Sequence, residues 1–204
     1  MEKILVITRK SCGYSHPKLT EIVHADLSDI SSLGDILSGY NACYFCLGVT
    51  SVGKNEAEYK LLTYTLTLNF ATTLVSHNPG MTFCYISGAG TDSSEKGRSM
   101  WARVKGKTEN DLMKLPFRRV YNFRPGGIKP FLPLKPTMTF YKTYKYVGWL
   151  LSLMALLSPN LVITLKDLAA AMINASIYGY PKHILEMKDM KALAKSKLVI
   201  DNDN

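Results

Sequence analysis

Residues Tyr85 to Asn110 read YISGAGTDSSEKGRSMWARVKGKTEN, and this stretch decides the fold class. An apolar run ends at Ser87, a turn of small residues follows, and apolar residues at helical spacing begin near Met100. The run predicts a buried strand, and the later spacing predicts a helix. Lys105 follows the aromatic residue Trp101 by one helical turn, so the two side chains are expected on one helix face. The stretch therefore predicts a strand, a turn and a helix whose side chains could form a functional site.

The same alternation of strand and helix continues through the chain. Short apolar runs predict strands over residues 4–8, 21–24, 42–47, 81–86, 119–123 and 162–164, and a last extended piece over 183–186. Helical spacing predicts helices over 29–37, 55–76, 100–115 and 166–177, and one around Trp149. Uniformly apolar strands that alternate with helices indicate a parallel α/β sheet. We expect a single α/β domain over residues 1–204, with a mobile tail after about residue 188.

The net charge of the chain limits which classes of binding partner are expected. The chain has 204 residues and a formal net charge of +9, and 47% of its residues are hydrophobic. A chain of this length and composition can form a core without disulfides or metals. A basic surface attracts phosphorylated cofactors, nucleic acid or anionic lipid. The lysines and arginines are scattered rather than clustered, however, so we expect no nucleic-acid partner.

The four cysteines, Cys12, Cys43, Cys46 and Cys84, predict neither a redox pair nor a metal site. Cys43 and Cys46 lie within one apolar run, and residues three apart on a strand face opposite sides of the sheet. The histidines show no metal-ligand spacing with the cysteines. We therefore expect buried, reduced thiols in a cytoplasmic protein, and no metal.

Two further observations favour a cytoplasmic location. The chain leads from Met1 directly into a short apolar run, so no signal peptide is predicted. The most apolar later stretch, Val147 to Pro159, is too short to span a bilayer. We expect no transmembrane segment and a buried helix at this stretch. A membrane-surface or partner-binding helix is the alternative.

A series of motifs follows in order along the chain. They are a V-I-T-R strand end, the Asp26-Leu27 pair, F-C-L-G at Phe45 to Gly48, Y-I-S-G-A-G at Tyr85 to Gly90, K-G-K-T-E at Lys105 to Glu109 and R-P-G-G-I at Arg124 to Ile128. Together they resemble the atypical short-chain dehydrogenase/reductases, the NAD(P)-binding epimerase/dehydratase-like proteins that include the Tat-interacting protein group. The resemblance extends to about Tyr180, and the W-A-R-V-K-G-K-T-E-N block is similar to a bacterial subgroup. It implies a Rossmann-like fold in which a parallel sheet lies between two layers of helices.

The resemblance also implies a site for NADP, with NAD as the alternative. Arg9 would face the 2′-phosphate of the adenosine ribose, which favours NADP. The other cofactor residues implied by position are Asp26 and Leu27 at the adenine, Leu47, Gly48 and Val49 at the two riboses, Lys105 at the nicotinamide ribose, and Pro125, Gly126, Gly127 and Ile128 at the nicotinamide. A solvated surface arginine is the alternative for Arg9.

The positions of the family's catalytic groups are occupied by Ser87, Trp101 and Lys105. The family's reaction uses a tyrosine four residues before the lysine as its general acid/base. Trp101 stands in that position, and an indole N–H donates a hydrogen bond but has no labile proton near neutral pH. If catalysis is kept, another group must relay the proton. The candidates for this relay are Asp92, Ser93, Tyr59 and Tyr64, and the T-D-S-S sequence around Asp92 is equally typical of a structural turn.

One part of the family pattern is missing from this sequence. Such proteins begin with a strand and a G-x-x-G-x-x-G turn that receives the pyrophosphate. Here the early glycine, Gly13, has no helix behind it, and Met1 enters at the second strand, so that a β-α unit of about 30 residues is absent. The absent strand is normally central, and its loss would leave two sheet edges unpaired. There are three alternative explanations: a start codon placed too late, a shortened chain, or remaining strands that close the gap. For the sequence as it stands, we expect weak or absent cofactor binding.

Three functions remain open from the sequence. The first is an NAD(P)-dependent oxidoreductase or epimerase-like enzyme that uses another acid. The second is a non-catalytic dinucleotide sensor or scaffold, and the third is a fragment without cofactor binding. The substrate is an unidentified small molecule, and the resemblance implies a homodimer.

Overall fold

Strands and helices alternate along the chain, as the apolar pattern predicts. The computed structural model describes residues 1–129 and 161–196. Its strands are β1 (Ile4–Thr8), β2 (Leu19–Val23), β3 (Ala42–Phe45), β4 (Thr82–Ile86), β5 (Arg119–Phe123), β6 (Gly127–Lys129), β7 (Val162–Thr164) and β8 (Ile184–Leu185). Its α-helices are α1 (Glu56–Lys60), α2 (Leu66–His77), α3 (Met100–Leu112), α4 (Leu165–Tyr178) and α5 (Met187–Lys195). The strand predictions over 4–8, 119–123 and 162–164 are confirmed to the residue.

Every strand pair in the described part of the chain is parallel, which confirms the predicted fold class. A four-stranded sheet has the order β3-β4-β5-β8. In it, Phe45 lies opposite Tyr85, and Ile86 lies opposite Phe123. β1 pairs with β2, and β6 pairs with β7, as two separate two-stranded sheets. Because the strands of a parallel sheet all end at the same edge, the loops after β3, β4 and β5 lie side by side.

β1 and β3 each keep one open edge. Within residues 1–129 and 161–196, β1 pairs only with β2, and β3 pairs only with β4. Within these residues the two edges are unpaired as expected, and the strands β1 and β3 do not pair with each other. Side chains connect the two sheets instead, because Leu5 and Ile7 of β1 pack against the apolar cluster that contains Phe45 of β3.

The four-stranded sheet is covered on both faces, because its side chains alternate between two apolar clusters. Phe83 and Tyr85 of β4 belong to one cluster, together with residues of α2 and α3. Cys84, which lies between them in sequence, belongs to the other cluster with residues of α4 and α5. Strands buried on both faces need apolar residues at every position, which explains the uniformly apolar runs in the sequence.

Two helix predictions need correction. Over residues 29–37 the structure has a 3₁₀ segment, Ser31–Leu37, in which Gly34 adopts a φ of 51° and a ψ of −132°. A residue in that conformation interrupts helical hydrogen bonding, so no α-helix forms there. Over residues 55–76 a capping box between Asn55 and Glu58 begins the helix, but a π-helical turn, Leu61–Thr65, separates α1 from α2.

The tail that the sequence predicts to be mobile forms the helix α5 up to Lys195. Met187, Met190 and Leu193 recur every three residues and are buried in the cluster that includes α4. This spacing places all three side chains on one helix face, so their burial anchors the segment. Residues 187–195 are therefore helical and packed, and the mobility of the tail after about residue 188 stays a prediction.

Two sequence predictions lie outside the described residues. They are the helix around Trp149 and the apolar stretch from Val147 to Pro159. Across residues 1–129 and 161–196, no helix is both long enough and apolar enough to cross a membrane.

Candidate functional site

The ends of β4 and β5 bring the predicted catalytic segment together with the R-P-G-G-I motif. The backbone N–H of Ser87 donates to the carbonyl of Phe123 at 2.8 Å, and the N–H of Ala89 donates to the carbonyl of Pro125 at 2.8 Å. The loop after β4 turns through Gly88 and Gly90, whose φ angles are 149° and 85°. Only glycine adopts such angles without strain, so the G-A-G sequence is required by this turn.

The Ser87 hydroxyl points into a buried ion pair. Its Oγ donates to Glu109 Oε1 at 2.5 Å and to the carbonyl of Phe123 at 3.1 Å. Glu109 is completely buried, and Arg124 binds both of its carboxylate oxygens, through Nε at 3.0 Å and through Nη2 at 2.5 Å. Arg124 Nη2 also donates to Ser93 Oγ at 2.6 Å. The serine hydroxyl is therefore occupied by the protein's own groups.

Glu109 and Arg124 are not among the site residues predicted from the sequence, although both lie in the motifs quoted above. The position of Glu109 on α3 could have revealed it, because Ala102, Gly106 and Leu112 share its buried helix face. A carboxylate among such residues needs a buried cationic partner. Its partner, Arg124, follows directly after β5 and is also buried.

Lys105 also contacts the loop after β4. Its Nζ donates to the carbonyl of Ser87, which confirms that the two residues meet as their positions predict. Burial lowers the pKa of the Lys105 ammonium group, although the nearby Glu109 carboxylate acts in the opposite direction. Lys105 is therefore a partly buried cation at the carboxyl end of the sheet.

Trp101 lies one helical turn before Lys105 on α3 and is half-buried. A Cβ atom added at Gly90 would lie 3.5 Å from Trp101 Cη2, so the indole packs closely against the glycine turn. Within residues 1–129 and 161–196, the indole N–H has no hydrogen-bond partner. It can donate a hydrogen bond to a ligand, but it cannot transfer a proton near neutral pH.

Asp92 and Ser93, two candidates for the proton relay, have structural roles. Asp92 Oδ1 accepts from Ser94 N and Ser94 Oγ at 3.0 and 2.6 Å, and Asp92 Oδ2 accepts from Gly97 N at 2.6 Å. The hydrogen bonds from Ser94 and Gly97 lower the pKa of Asp92, so it is ionised and carries no proton to donate at neutral pH. Ser93 accepts the bond from Arg124 described above.

The two tyrosine candidates, Tyr59 and Tyr64, are weaker acids than a free tyrosine. Tyr59 is 2% exposed, and burial raises the pKa of its hydroxyl. Tyr64 donates to Asp111 Oδ2 at 2.8 Å, and burial together with this bond raises the pKa of Tyr64. Neither hydroxyl is placed by these contacts beside Ser87 or Lys105.

The Asp111 carboxylate provides a test of the surface of α3. Burial would raise the pKa of Asp111, but hydrogen bonds from Lys114, Lys107 and Tyr64 outweigh it and lower the pKa from 3.8 to about 2. A depressed pKa stabilises the fold above the ordinary pKa, and this contribution is lost as the pH falls towards 2. We expect the stability difference between wild type and Asp111→Asn to be largest above about pH 4 and to shrink towards about pH 2.

Chemical denaturation of both proteins across this pH range measures the difference. A gap that stays constant from neutral pH to the acid limit would contradict the assigned ion pairs.

Several residues that the resemblance implies for the adenosine half of the cofactor lie around a groove between β1 and β3. Arg9, Leu27 and Leu47 line a groove of about 1080 Å³ between β1 and β3. Arg9 is exposed and has no hydrogen-bond or ion-pair partner in the described ranges, so it is free to meet an anion. Asp26 instead accepts from Ser28 N and Oγ at 2.8 and 2.6 Å, which makes it a turn-forming residue.

The remaining predicted positions flank the ends of β3 and β5. Gly48 is exposed and Val49 is half-buried after β3. Pro125 is buried, Gly126 is exposed, and Gly127 and Ile128 begin β6. A Cβ atom at Gly126 would lie 2.4 Å from the carbonyl oxygen of Leu161, so glycine is required by the close approach of the chain before β7.

A dinucleotide fits this edge only in part. Arg9 and Lys105 are cations that a dinucleotide could contact, but a pyrophosphate needs backbone amides at a helix N-terminus. The connection from β1 to β2 contains no helix. The N-terminus of α1 after β3 carries Glu56 and Glu58, and Asn55 already accepts from the Glu58 amide. These carboxylates repel a phosphate, so the described residues provide no pyrophosphate site.

Comparisons of sequence and of structure give different results. No family model and no curated protein sequence matches this chain. Its structure is similar to that of glucuronic acid dehydrogenase from Chromohalobacter salexigens, with a TM-score of 0.60 and 13% identity over 90% of this chain and 66% of the other. It is also similar to the Bordetella bronchiseptica enzyme WbmF in complex with NAD+, with a TM-score of 0.61 and 14% identity over 95% of this chain and 68% of the other.

A third similar structure is RMD from Pseudomonas aeruginosa complexed with NADPH. The TM-score is 0.59 and the identity is 15%, over 89% of this chain and 76% of the other. The chain spans about two thirds of the length of the first two proteins and about three quarters of the third. The chain therefore has the Rossmann-like parallel α/β fold that these proteins share.

Proposed function

We propose that this chain is a nicotinamide-dinucleotide-binding protein that senses or presents the cofactor and performs no redox turnover. The observation that carries this proposal is the state of the three catalytic positions. The Ser87 hydroxyl donates to Glu109, the Lys105 ammonium group donates to the Ser87 carbonyl, and Trp101 replaces the proton donor. A ligand oxygen at this site would meet an indole N–H that holds it without protonating it.

Two cations support a dinucleotide as the ligand. Arg9 has no acidic partner in the described ranges and lies at the end of β1, where a 2′-phosphate would favour NADP over NAD. Lys105 lies at the end of β4, where it would donate to the nicotinamide ribose. WbmF and RMD, which have the same fold, were solved with NAD+ and NADPH respectively. The absence of a pyrophosphate site among the described residues implies weak affinity.

One observation favours an enzyme as the second candidate. The pKa of Lys105 is lowered by burial, and a lysine with a lowered pKa can itself act as a general acid. In that case the chain would be an NAD(P)-dependent oxidoreductase or epimerase-like enzyme, with Lys105 as donor and Trp101 positioning the substrate. This function requires turnover, which the first candidate excludes.

Calorimetric titration with NADPH tests the binding. We expect a dissociation constant of about 0.1 mM or weaker, because the phosphate-binding elements are incomplete. Lys105→Met should weaken binding by about tenfold, the value of one charge-assisted hydrogen bond. Lys107→Met is the matched control and should leave binding unchanged, because Lys107 faces Asp111 on another side of α3.

Three results would count against the sensor. Low-micromolar binding would show that the pyrophosphate is held by groups other than those described here. An equal loss in the two lysine variants would remove Lys105 from the site. Steady-state oxidation of NADPH in the presence of carbonyl compounds, abolished by Lys105→Met, would favour the enzyme.

A further inference from the structure

The β1/β3 groove, defined as the space lined by residues 4–10 and 42–47, has the shape of a missing strand. Both strands flank its whole length, and its volume is about 1080 Å³. They also run in the same direction. Lys3, which precedes β1, donates to the carbonyl of Ser38 and lies 4.3 Å from the Tyr40 ring centroid, immediately before β3. Arg9 and Leu47 line the groove just beyond the opposite ends of the two strands.

The edge of β1 that faces the groove carries free backbone groups. Peptide groups of successive strand residues point to alternate edges. The Ile4 N–H donates to the carbonyl of Lys18, and the Thr8 carbonyl accepts from the His24 N–H. The backbone N–H and C=O groups of Ile4, Val6 and Thr8 therefore point towards β2. The N–H and C=O groups of Leu5 and Ile7 therefore point into the groove.

The same reasoning applies to β3. The Asn41 carbonyl accepts from Thr82 at the start of β4, so Asn41, Cys43 and Phe45 point their peptide groups towards β4. The peptide groups of Ala42, Tyr44 and Cys46 therefore face the groove. The two walls together offer parallel rows of donors and acceptors, which is what a strand inserted between them would need.

The two faces of the groove are apolar. Phe70 and Leu74 of α2 line one face, and Ala169, Met172 and Ile173 of α4 line the other. A strand in this position would be covered by a helix on each side, so both of its alternating sets of side chains would have to be apolar. Arg9 and Lys10 lie at the end of the groove next to the C-terminal end of β1. Both are exposed and have no acidic partner in the described ranges.

We propose that the β1/β3 groove is a binding site for an extended, uniformly apolar peptide segment of about five residues, which pairs in parallel with β1 and β3 and ends in an acidic group at Arg9 and Lys10. The occupant joins the β1-β2 and β3-β4-β5-β8 sheets into one. The site shares Arg9 with the proposed cofactor site but is defined by the two strand edges, so the peptide is tested in the absence of nucleotide.

Fluorescence anisotropy with a designed peptide tests this site on the full chain in the absence of nucleotide. The probe is a fluorescein-labelled Lys-Gly-Val-Ile-Val-Leu-Ile-Asp peptide with a free C-terminal carboxylate. The control peptide has the same side chains but carries N-methyl groups on alternate apolar residues, which remove the amide donors of one edge. We expect the control to bind at least tenfold more weakly, because it can pair with only one wall.

Two measurements place the peptide in the groove. Amide hydrogen exchange should slow on binding at Leu5, Ile7, Ala42, Tyr44 and Cys46. Ala169→Trp should fill the groove and weaken binding by about tenfold or more, since Ala169 is exposed and lines one face. Lys166→Trp, an exposed position one helical turn earlier on α4, is the matched control and should leave binding unchanged.

Each alternative outcome overturns the proposal. Absence of binding shows that the groove does not accept a strand. Equal binding of the N-methylated peptide shows that the contact is hydrophobic adhesion without strand pairing. Binding that leaves the five amides unprotected, or that Ala169→Trp does not weaken, places the peptide elsewhere. None of these outcomes depends on whether NADPH binds.

Discussion

Glu109→Ala should lower the free energy of unfolding by about 3 kcal/mol, because it leaves the buried Arg124 guanidinium with only the half-exposed Glu186 carboxylate, at 3.4 Å, as its acidic partner. Glu109 is completely buried and Arg124 is 9% exposed, so little water reaches the orphaned charge. The change also removes the acceptor of the Ser87 hydroxyl. Urea denaturation followed by circular dichroism measures the loss.

An exposed ion pair between α1 and α3 provides the control. Glu56 pairs with Arg103 of α3 at 2.6 Å, but the Glu56 side chain is 51% exposed. Solvent-exposed pairs contribute little, so Glu56→Ala should cost less than about 1 kcal/mol. A loss at Glu109 no larger than this would contradict the buried pair.

A double variant separates the loss of the pair from the orphaned charge. Glu109→Leu combined with Arg124→Met replaces both ions with apolar side chains of similar size. Such replacements are often neutral or stabilising relative to a broken pair. The double variant should therefore be more stable than Glu109→Ala alone. If it is less stable, the damage comes from lost packing rather than from an uncompensated charge.

Gly106→Ala should destabilise the protein by about 3 kcal/mol, because an added methyl group overpacks the contact between α3 and the loop before it. A Cβ atom at Gly106 would lie 1.8 Å from the carbonyl oxygen of Asp92 and 2.5 Å from its carbonyl carbon. The obstacle is backbone, and Asp92 N is fixed by a hydrogen bond to the Ala102 carbonyl at 3.1 Å. The loop therefore has to move away from the helix.

The sign of this effect is the informative part. In an exposed helix the same change is stabilising by about 1 kcal/mol, since alanine has the higher helix propensity. Gly80→Ala is the matched control, because Gly80 is exposed and a Cβ atom there has no neighbour within 4 Å. It should change the free energy of unfolding by less than about 0.5 kcal/mol. Stabilisation by Gly106→Ala would show that the loop does not pack on α3.

Much of the fold could be predicted from local pattern. β1 is a run in which every residue favours a strand, β5 is mostly such a run, and the bounds of both agree with the structure. The break at Gly34 was not predictable from helical spacing, because the glycine's φ of 51° depends on how the chain packs beneath β3. The order of the strands in each sheet was not predicted, because no local signal specifies it.

The contact between Ser87 and Lys105 was predictable, but the partners of the Ser87 hydroxyl, Glu109 and Arg124, were not. The meeting of Ser87 and Lys105 follows from their places after β4 and on α3. The direction of the Ser87 hydroxyl depends on Glu109 and Arg124, whose pairing joins a helix to the residue after a strand. The turn made by Asp92 is a local property of the T-D-S-S sequence, and the structure has it.

The open edges of β1 and β3 also affect how cooperatively the protein unfolds. No ladder of backbone hydrogen bonds in the described ranges connects the β1-β2 sheet to the rest. Side-chain contacts hold it instead, such as the packing of Leu5 and Ile7 and the hydrogen bond from Lys3 to the Ser38 carbonyl. Detaching this sheet breaks no inter-strand pairing outside itself. We therefore expect the β1-β2 sheet to open and close in a sub-global event while the four-stranded sheet stays folded.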